Sequence, residues 1–175
     1  KRALSLTLAS VMLLGMMVVG SSAASYPDVD ENDNVEAIEV LRAVQVMRGD
    51  DNGNFDPDRS VTRAEMAVVM ALLLDLDYQY YEATCPFTDV AAWARPYVGA
   101  CYANGIVSGY SATTYGSNDG VTPVQAASMM MRALGYFRYA SDYKDGFETA
   151  TVRQGTRIGI FDGVGSSASA AMTRN

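Results

Sequence analysis

Histidine is absent from this chain of 175 residues, cysteine occurs twice and tryptophan once. Without an imidazole, neither thiol has the usual base that turns a cysteine into a catalytic nucleophile. A glycine-rich phosphate loop and a Cys-x-x-Cys pair are missing as well. Any two carboxylates could be nominated for glycoside hydrolysis, but no pair is singled out. The expectation is a non-catalytic protein that needs no cofactor and no metal. Positive charge is also scarce, with 13 Lys+Arg against 20 Asp+Glu and a formal net charge of −7. Such a surface opposes non-specific binding to nucleic acid or to anionic membranes, both of which need clustered positive charge. It leaves room for one local arginine pocket that takes an anionic ligand. Apolar residues make up 49% of the chain, enough to bury a core in one compact domain or a short array of repeats.

The first residues address the compartment. Lys1 and Arg2 precede an apolar run from Ala3 to Val19, then the small residues Gly20-Ser21-Ser22-Ala23-Ala24-Ser25. This is the layout of a secretory signal peptide over residues 1–24, with cleavage after Ala24. A retained anchor is the alternative, but the run from Ala3 to Val19 is short for a span and its exit is rich in small residues. No cysteine follows the run, so a lipid-anchored form is not offered. The expectation is export, with no stable membrane insertion after cleavage. Cleavage removes two positive charges and leaves a mature part with a net of −9. Outside the cytoplasm, Cys85 and Cys101 have two readings. A bridge closes a loop of about 16 residues and adds roughly 3 kcal/mol in the loop-entropy model. Two buried thiols acting as small hydrophobes are the other reading.

The chain repeats itself. Tyr26-Pro-Asp-Val29 aligns with Phe87-Thr-Asp-Val90. Val46-Met-Arg-Gly49 aligns with Ile106-Val-Ser-Gly109 and with Ile160-Phe-Asp-Gly163. Val61-Thr-Arg-Ala-Glu65 aligns with Val121-Thr-Pro-Val-Gln125, and Met172-Thr-Arg-Asn175 opens a third copy. One and the same offset separates Gly49 from Gly109 and Thr62 from Thr122. The copies span 26–76, 85–137 and, in part, 139–175, with a spacer at 77–84 in which Tyr78, Tyr80 and Tyr81 are read as packing residues.

Each copy reads as helix, loop, helix. Val35, Ile38, Leu41 and Val44 recur every three residues beside charged neighbours, the mark of a half-buried helix. Gly49 and the polar run Asp50–Asp58 form the loop. The second helix starts at Thr62, with Glu65 completing a capping box, and is apolar nearly all round from Met66 to Leu74. Thr122, Pro123 and Gln125 repeat the device. Asp50, Asn52, Asn54 and Asp56 imitate alternating calcium ligands. The sixth position is Phe55 and the twelfth Val61, where the calcium loop needs Gly and Glu, so the template fails.

Taken together, Phe87-Thr-Asp-Val90, Trp93-Ala94, Gly105-Ile-Val-Ser-Gly109-Tyr110, Thr62-Arg-Ala-Glu65 and the loop Asn52-Gly-Asn-Phe55-Asp-Pro57 resemble the surface-layer-homology family. The resemblance covers residues 26–175 and implies an all-α fold of helix-loop-helix repeats in a pseudo-threefold arrangement, the third repeat truncated. It implies non-covalent binding of acidic secondary cell-wall polysaccharides, often pyruvylated, that are attached to peptidoglycan. The contact positions it implies are Arg63, Asp28 and Gly49 in the first copy, Asp89, Trp93 and Gly109 in the second, and Gly163 and Arg174 in the third.

This sequence departs from the pattern at Pro123, which stands where the second Arg should be. The first copy has no Trp at its matching helix start. The stretch from Gly163 to Thr173 is shorter than those from Gly49 to Thr62 and from Gly109 to Thr122.

Each position also has a plainer reading. Arg63 is either a guanidinium that grips a carboxylate at a helix start or a solvated neighbour of the capping box. Asp28 and Asp89 read as helix caps or turn formers, or as sugar contacts, and Trp93 as a core residue or a stacking platform. Gly49, Gly109 and Gly163 read as left-handed helix ends or as points of close approach. The expected role is attachment of a secreted or surface-layer protein to the cell wall. Two alternatives stand beside it: the anchor of a longer exported glycan-active hydrolase, and a diverged structural repeat that acts through protein contacts.

Overall fold

The structure, a computed structural model, describes residues 26–164 and 170–175, so the expected signal peptide lies outside the described residues. Among the described residues five helices follow one another: α1 Val35–Ala43, α2 Arg63–Leu73, α3 Arg95–Ala103, α4 Pro123–Ala133 and α5 Phe147–Arg157. Short 3-10 turns lie at Tyr78–Tyr80 and Ala140–Tyr143. The described residues contain two isolated β-bridges and no strand. The fold is therefore all-α. Helices α1, α3 and α5 open the three copies, and α2 and α4 close the first two.

Both closing helices begin as their sequences require. The Thr62 Oγ1 accepts the Glu65 N–H at 3.2 Å, and a Glu65 carboxylate oxygen accepts the Thr62 N–H at 2.9 Å. Thr122 and Gln125 form the same reciprocal pair. The opening helices end on left-handed residues, at Gln45 (φ 60°), Gly105 (φ 70°) and Gly159 (φ 74°). This corrects one reading of the loop glycines. Gly49 and Gly109 lie beyond these turns and are not in the left-handed region, whereas Gly163 is (φ 79°). At Gly109 the constraint is close approach: a Cβ would sit 2.4 Å from the Phe87 ring and 2.5 Å from the Thr114 carbonyl oxygen. Gly49 meets the Tyr26 ring in the same way, and its N–H donates to the Tyr26 hydroxyl at 3.0 Å. In the first two copies, the opening aromatic thus packs on the glycine of its own loop.

The main core joins α2, α3 and α4. Ala67, Met70 and Ala71 of α2 meet Val98 and Cys101 of α3 and Met129 of α4, with Phe87 and Tyr115 filling the space beside them. The last turn of α2 differs from its all-round apolar pattern, since Leu73 is 55% exposed. A second, smaller cluster holds Val29, Ile38 and Phe55 with Tyr26 and Val35, and leaves Val44 on the surface. In the spacer Tyr78 stacks on Tyr97 of α3 with centroids 4.2 Å apart, whereas Tyr80 is 76% exposed and its packing reading is corrected. Cys85 and Cys101 are free, buried thiols, so the bridge is not formed. Cys101 instead turns its Sγ to the Ala67 carbonyl at 3.4 Å, inside the α2–α3 contact. Burial pushes its pKa up to about 12.

The copies meet at the residue that precedes each second-helix threonine. Val61 N–H donates to the Met172 carbonyl (2.8 Å), Val121 N–H to Val61 (2.9 Å) and Met172 N–H to Val121 (2.8 Å), a closed ring of three hydrogen bonds. The next amides continue outward. Arg63 and Ala64 donate to the carbonyls of Asp119 and Ser117, and Arg174 and Asn175 to those of Arg59 and Pro57, the same positions one copy back. In this way the first amides of α2, which have no partner within the helix, are satisfied by the loop of the next copy.

Candidate functional site

Arg63 leaves the first turn of α2 and reaches into the second copy. Its Nε donates to the Tyr115 carbonyl at 3.1 Å and its Nη2 to the Ser108 carbonyl at 3.0 Å. The guanidinium carbon lies 4.6 Å from the Tyr110 ring centre and 4.7 Å from that of Tyr115. Arg63 is only 5% exposed. It is therefore neither a solvated bystander nor an unengaged ligand grip, but a clamp between copies that spends two of its five N–H donors on backbone. Arg174 repeats the arrangement on the first copy: Nε to the Phe55 carbonyl at 2.7 Å, Nη2 to the Arg48 carbonyl at 2.6 Å, and the Phe55 ring 4.5 Å away. Phe55 and Arg48 stand at the positions of Tyr115 and Ser108 in the earlier copy.

Two cavities flank these clamps. One, of about 220 Å³, is lined by Arg63, the loop Ile106–Tyr110, the α4 residues Gln125, Ser128, Met129 and Arg132, and Phe147. The other, of about 120 Å³, is lined by Arg174, Val46, Met47 and Arg48, the α2 residues Glu65, Val68 and Val69, and Trp93. They are the same groove built twice. Each takes its loop and second helix from one copy, its arginine from another and its aromatic from the start of the following copy. Trp93 is 57% exposed and Phe147 43%. The core reading of Trp93 is thereby corrected: the ring lies at the mouth of a groove, because Ala94 rather than Trp93 turns inward to the core. Phe147 is not among the positions singled out by the sequence. The available signal is its alignment with Trp93, since Phe147 precedes Ile160 by as much as Trp93 precedes Ile106.

The other expected positions separate. Asp28 accepts the N–H groups of Phe55 and Asp56 at 2.8 and 2.7 Å, and Asp89 those of Tyr115 and Gly116 at 2.8 and 2.7 Å. Both staple the start of a copy to its loop; neither caps a helix, since the residues before α1 and α3 are Asn34 and Ala94, and neither lines a groove. Desolvation opposes their ionisation, but the backbone donors outweigh it and hold both carboxyls below the usual aspartate range. Gly109 lines the larger groove; Gly49 lies behind the smaller one, against Tyr26. Gly163 lines neither groove. Asp50 turns its carboxylate back on the amides of Asn52 and Asn54. Among the described residues no group of His, Cys, Asp or Glu could hold a metal ion, and no helix is long and apolar enough to cross a membrane.

The S-layer homology domain profile matches residues 25–67 and 86–122. The surface-layer 125 kDa protein of Lysinibacillus sphaericus is 32% identical over 129 residues, 71% of this chain and 11% of that protein. The S-layer protein sap of Bacillus anthracis is 27% identical over 136 residues, 76% of this chain and 16% of that protein. An endoglucanase of Bacillus sp. (strain KSM-635) is 30% identical over 146 residues, 78% of this chain and 15% of that enzyme. The chain thus spans a small fraction of the curated relatives it matches. With its paired capping boxes, repeated clamps and these two matched segments, the chain belongs to the S-layer homology family.

Proposed function

We propose that this chain attaches a surface protein to the bacterial cell wall without a covalent bond, by holding acidic secondary polysaccharide in its two inter-copy grooves. The observation that carries this reading is the doubled groove itself, a concave site with an arginine on one wall, buried in one groove and half-buried in the other, and an exposed aromatic on the opposite wall. An aromatic face covers the apolar face of a sugar ring, and a guanidinium with N–H groups left over accepts an acidic substituent. The copies form a pseudo-threefold unit around the Val61–Val121–Met172 ring. A third groove would need an arginine at Pro123, so binding rests on two. The polymer is pyruvylated in this reading, and the location is the cell surface. The same segment occurs in relatives named as surface-layer proteins and as an endoglucanase. That distribution suits an anchor whose cargo varies, and the cargo here is a surface-layer protein or an exported hydrolase.

Trp93 is the single tryptophan of the chain, so its emission reports on one groove. Solubilised wall polysaccharide should quench or blue-shift this emission saturably, and Trp93→Ala should weaken binding about tenfold. An emission spectrum unmoved by saturating polymer would contradict the reading. The full exposure of Arg63 to ligand is not required by it; the clamp geometry also suits a purely structural repeat, and that second reading predicts no binding at all.

A further inference from the structure

The mouth of the larger groove is backed by stacked rings. Phe137 and Phe147 both stack on Tyr143, with centroids 4.8 Å away at 20° for Phe137 and 6.1 Å away at 24° for Phe147. Phe147 and Arg132 line the groove, whereas Tyr143 and Phe137 lie behind them and do not. Tyr143 touches both lining residues. The Arg132 Nε donates to its hydroxyl at 2.8 Å, and the Arg132 guanidinium carbon lies 5.6 Å from its ring centre. Phe147 is 43% exposed and is the first residue of α5. No helical turn precedes it, so its ring lacks the usual surface to lean on. Tyr143 supplies that surface.

The second observation is the backbone of Phe137. Its φ is 57°, in the left-handed region, which a bulky side chain enters only when its surroundings compel it. The turn that ends α4 already has a left-handed residue in Gly135, as the turn that ends α2 has Asp75. Phe137 adds another, and the matching residue of the first copy, Asp77, does not share it (φ −76°). The strained turn delivers the Phe137 ring onto Tyr143. The smaller groove is backed differently. The residue that stands to Trp93 as Tyr143 stands to Phe147 is Asp89, which is occupied with the amides of its loop.

We infer that Tyr143 is a positioning residue for the larger groove: it fixes the Phe147 ring and the Arg132 guanidinium relative to each other without touching the sugar. Phe137 in turn fixes Tyr143. This rests on the glycan-binding reading and deepens it, because one wall from α4 and one from α5 are then coupled through a single side chain.

Titrating each groove separately tests it, with single repeat units released from the wall polymer as the probe. Trp93 emission reports the smaller groove. The exchange Trp93→Phe with Phe147→Trp moves the one indole of the chain to the larger groove. In that background Tyr143→Leu should weaken binding about fivefold, the scale of one lost aromatic pair. It should also raise acrylamide quenching of the free chain about twofold, as the indole loses its support. Tyr143→Phe keeps the ring and gives up the hydroxyl. Quenching should then stay at the background value while binding falls about threefold through Arg132. Tyr143→Phe carries the test if Tyr143→Leu melts early. With Trp93 in place, neither Tyr143 variant should shift the Trp93 titration. A merely structural tyrosine would weaken both grooves together or neither, and either result overturns the inference. Quenching that Tyr143→Leu leaves unchanged overturns it as well. Pelleting with wall sacculi separates the two levels. If the wild type pellets and the Tyr143 variants bind as it does, only this inference falls. If the wild type stays in the supernatant, the glycan-binding reading falls with it.

Discussion

Replacing Arg63 with methionine separates the clamp from the rest of α2, because methionine keeps the apolar stem and loses the guanidinium. The charged donor serves two carbonyls, Tyr115 and Ser108, and a hydrogen bond to a charged group contributes about 1.5–3 kcal/mol. The two acceptors will not respond alike. Ser108 is exposed and rehydrates, whereas Tyr115 is fully buried and its carbonyl is left without its donor. Contact with the Tyr110 and Tyr115 rings adds about 0.5–2 kcal/mol, and the retained stem limits any cavity. The sum is a loss of about 3 kcal/mol, a large part of the roughly 5–15 kcal/mol typical of a domain. For a chain of this size the melting point should fall by roughly 6–12 °C. Urea unfolding followed by circular dichroism measures it directly, as a lower midpoint at unchanged slope. Arg174→Met, at the less buried clamp, should lose about half as much. A change below about 0.5 kcal/mol for Arg63→Met would refute the clamp and return the residue to a solvated role.

Gly109→Ala places a Cβ against backbone oxygens and the Phe87 ring, so it should destabilise by about 1–3 kcal/mol; a neutral variant would show that the loop yields freely. Asp28 and Asp89 have depressed pKa values in the folded chain. Their contribution is present above the unfolded aspartate pKa of about 3.9 and is lost as pH falls through the folded values. Acid unfolding should therefore become shallower in Asp28→Asn and Asp89→Asn, and unchanged profiles would contradict the loop staples. Both thiols should resist iodoacetamide in the folded chain at pH 8 and react fully in urea without added reductant. Failure to react in urea would show a bridge between Cys85 and Cys101.

The features legible in the sequence are those fixed by short-range chemistry. Thr62 with Glu65 and Thr122 with Gln125 make capping boxes wherever a helix follows, so their letters suffice. The constant offset between the first two copies likewise tells which loops and helices are equivalent. Trp93 and Arg63 are harder, because their surroundings come from a different copy. No local pattern says that a lone tryptophan at a helix start will face a groove between α2 and α3 rather than the core. The loop glycines mislead for a related reason. Their setting is decided by an aromatic far earlier in the chain, Tyr26 for Gly49 and Phe87 for Gly109, while the left-handed turns fall on Gln45 and Gly105. Phe147 escapes notice because it shares position but not identity with Trp93.

The central claim is that the two grooves hold wall polysaccharide. Co-sedimentation of residues 26–175 with purified sacculi, before and after extraction of the secondary polymer, tests it most directly. The expected result is saturable pelleting that disappears on extraction and falls together in Trp93→Ala and Arg132→Leu. Pelleting that survives extraction, or a chain that stays in the supernatant with intact sacculi, would contradict it.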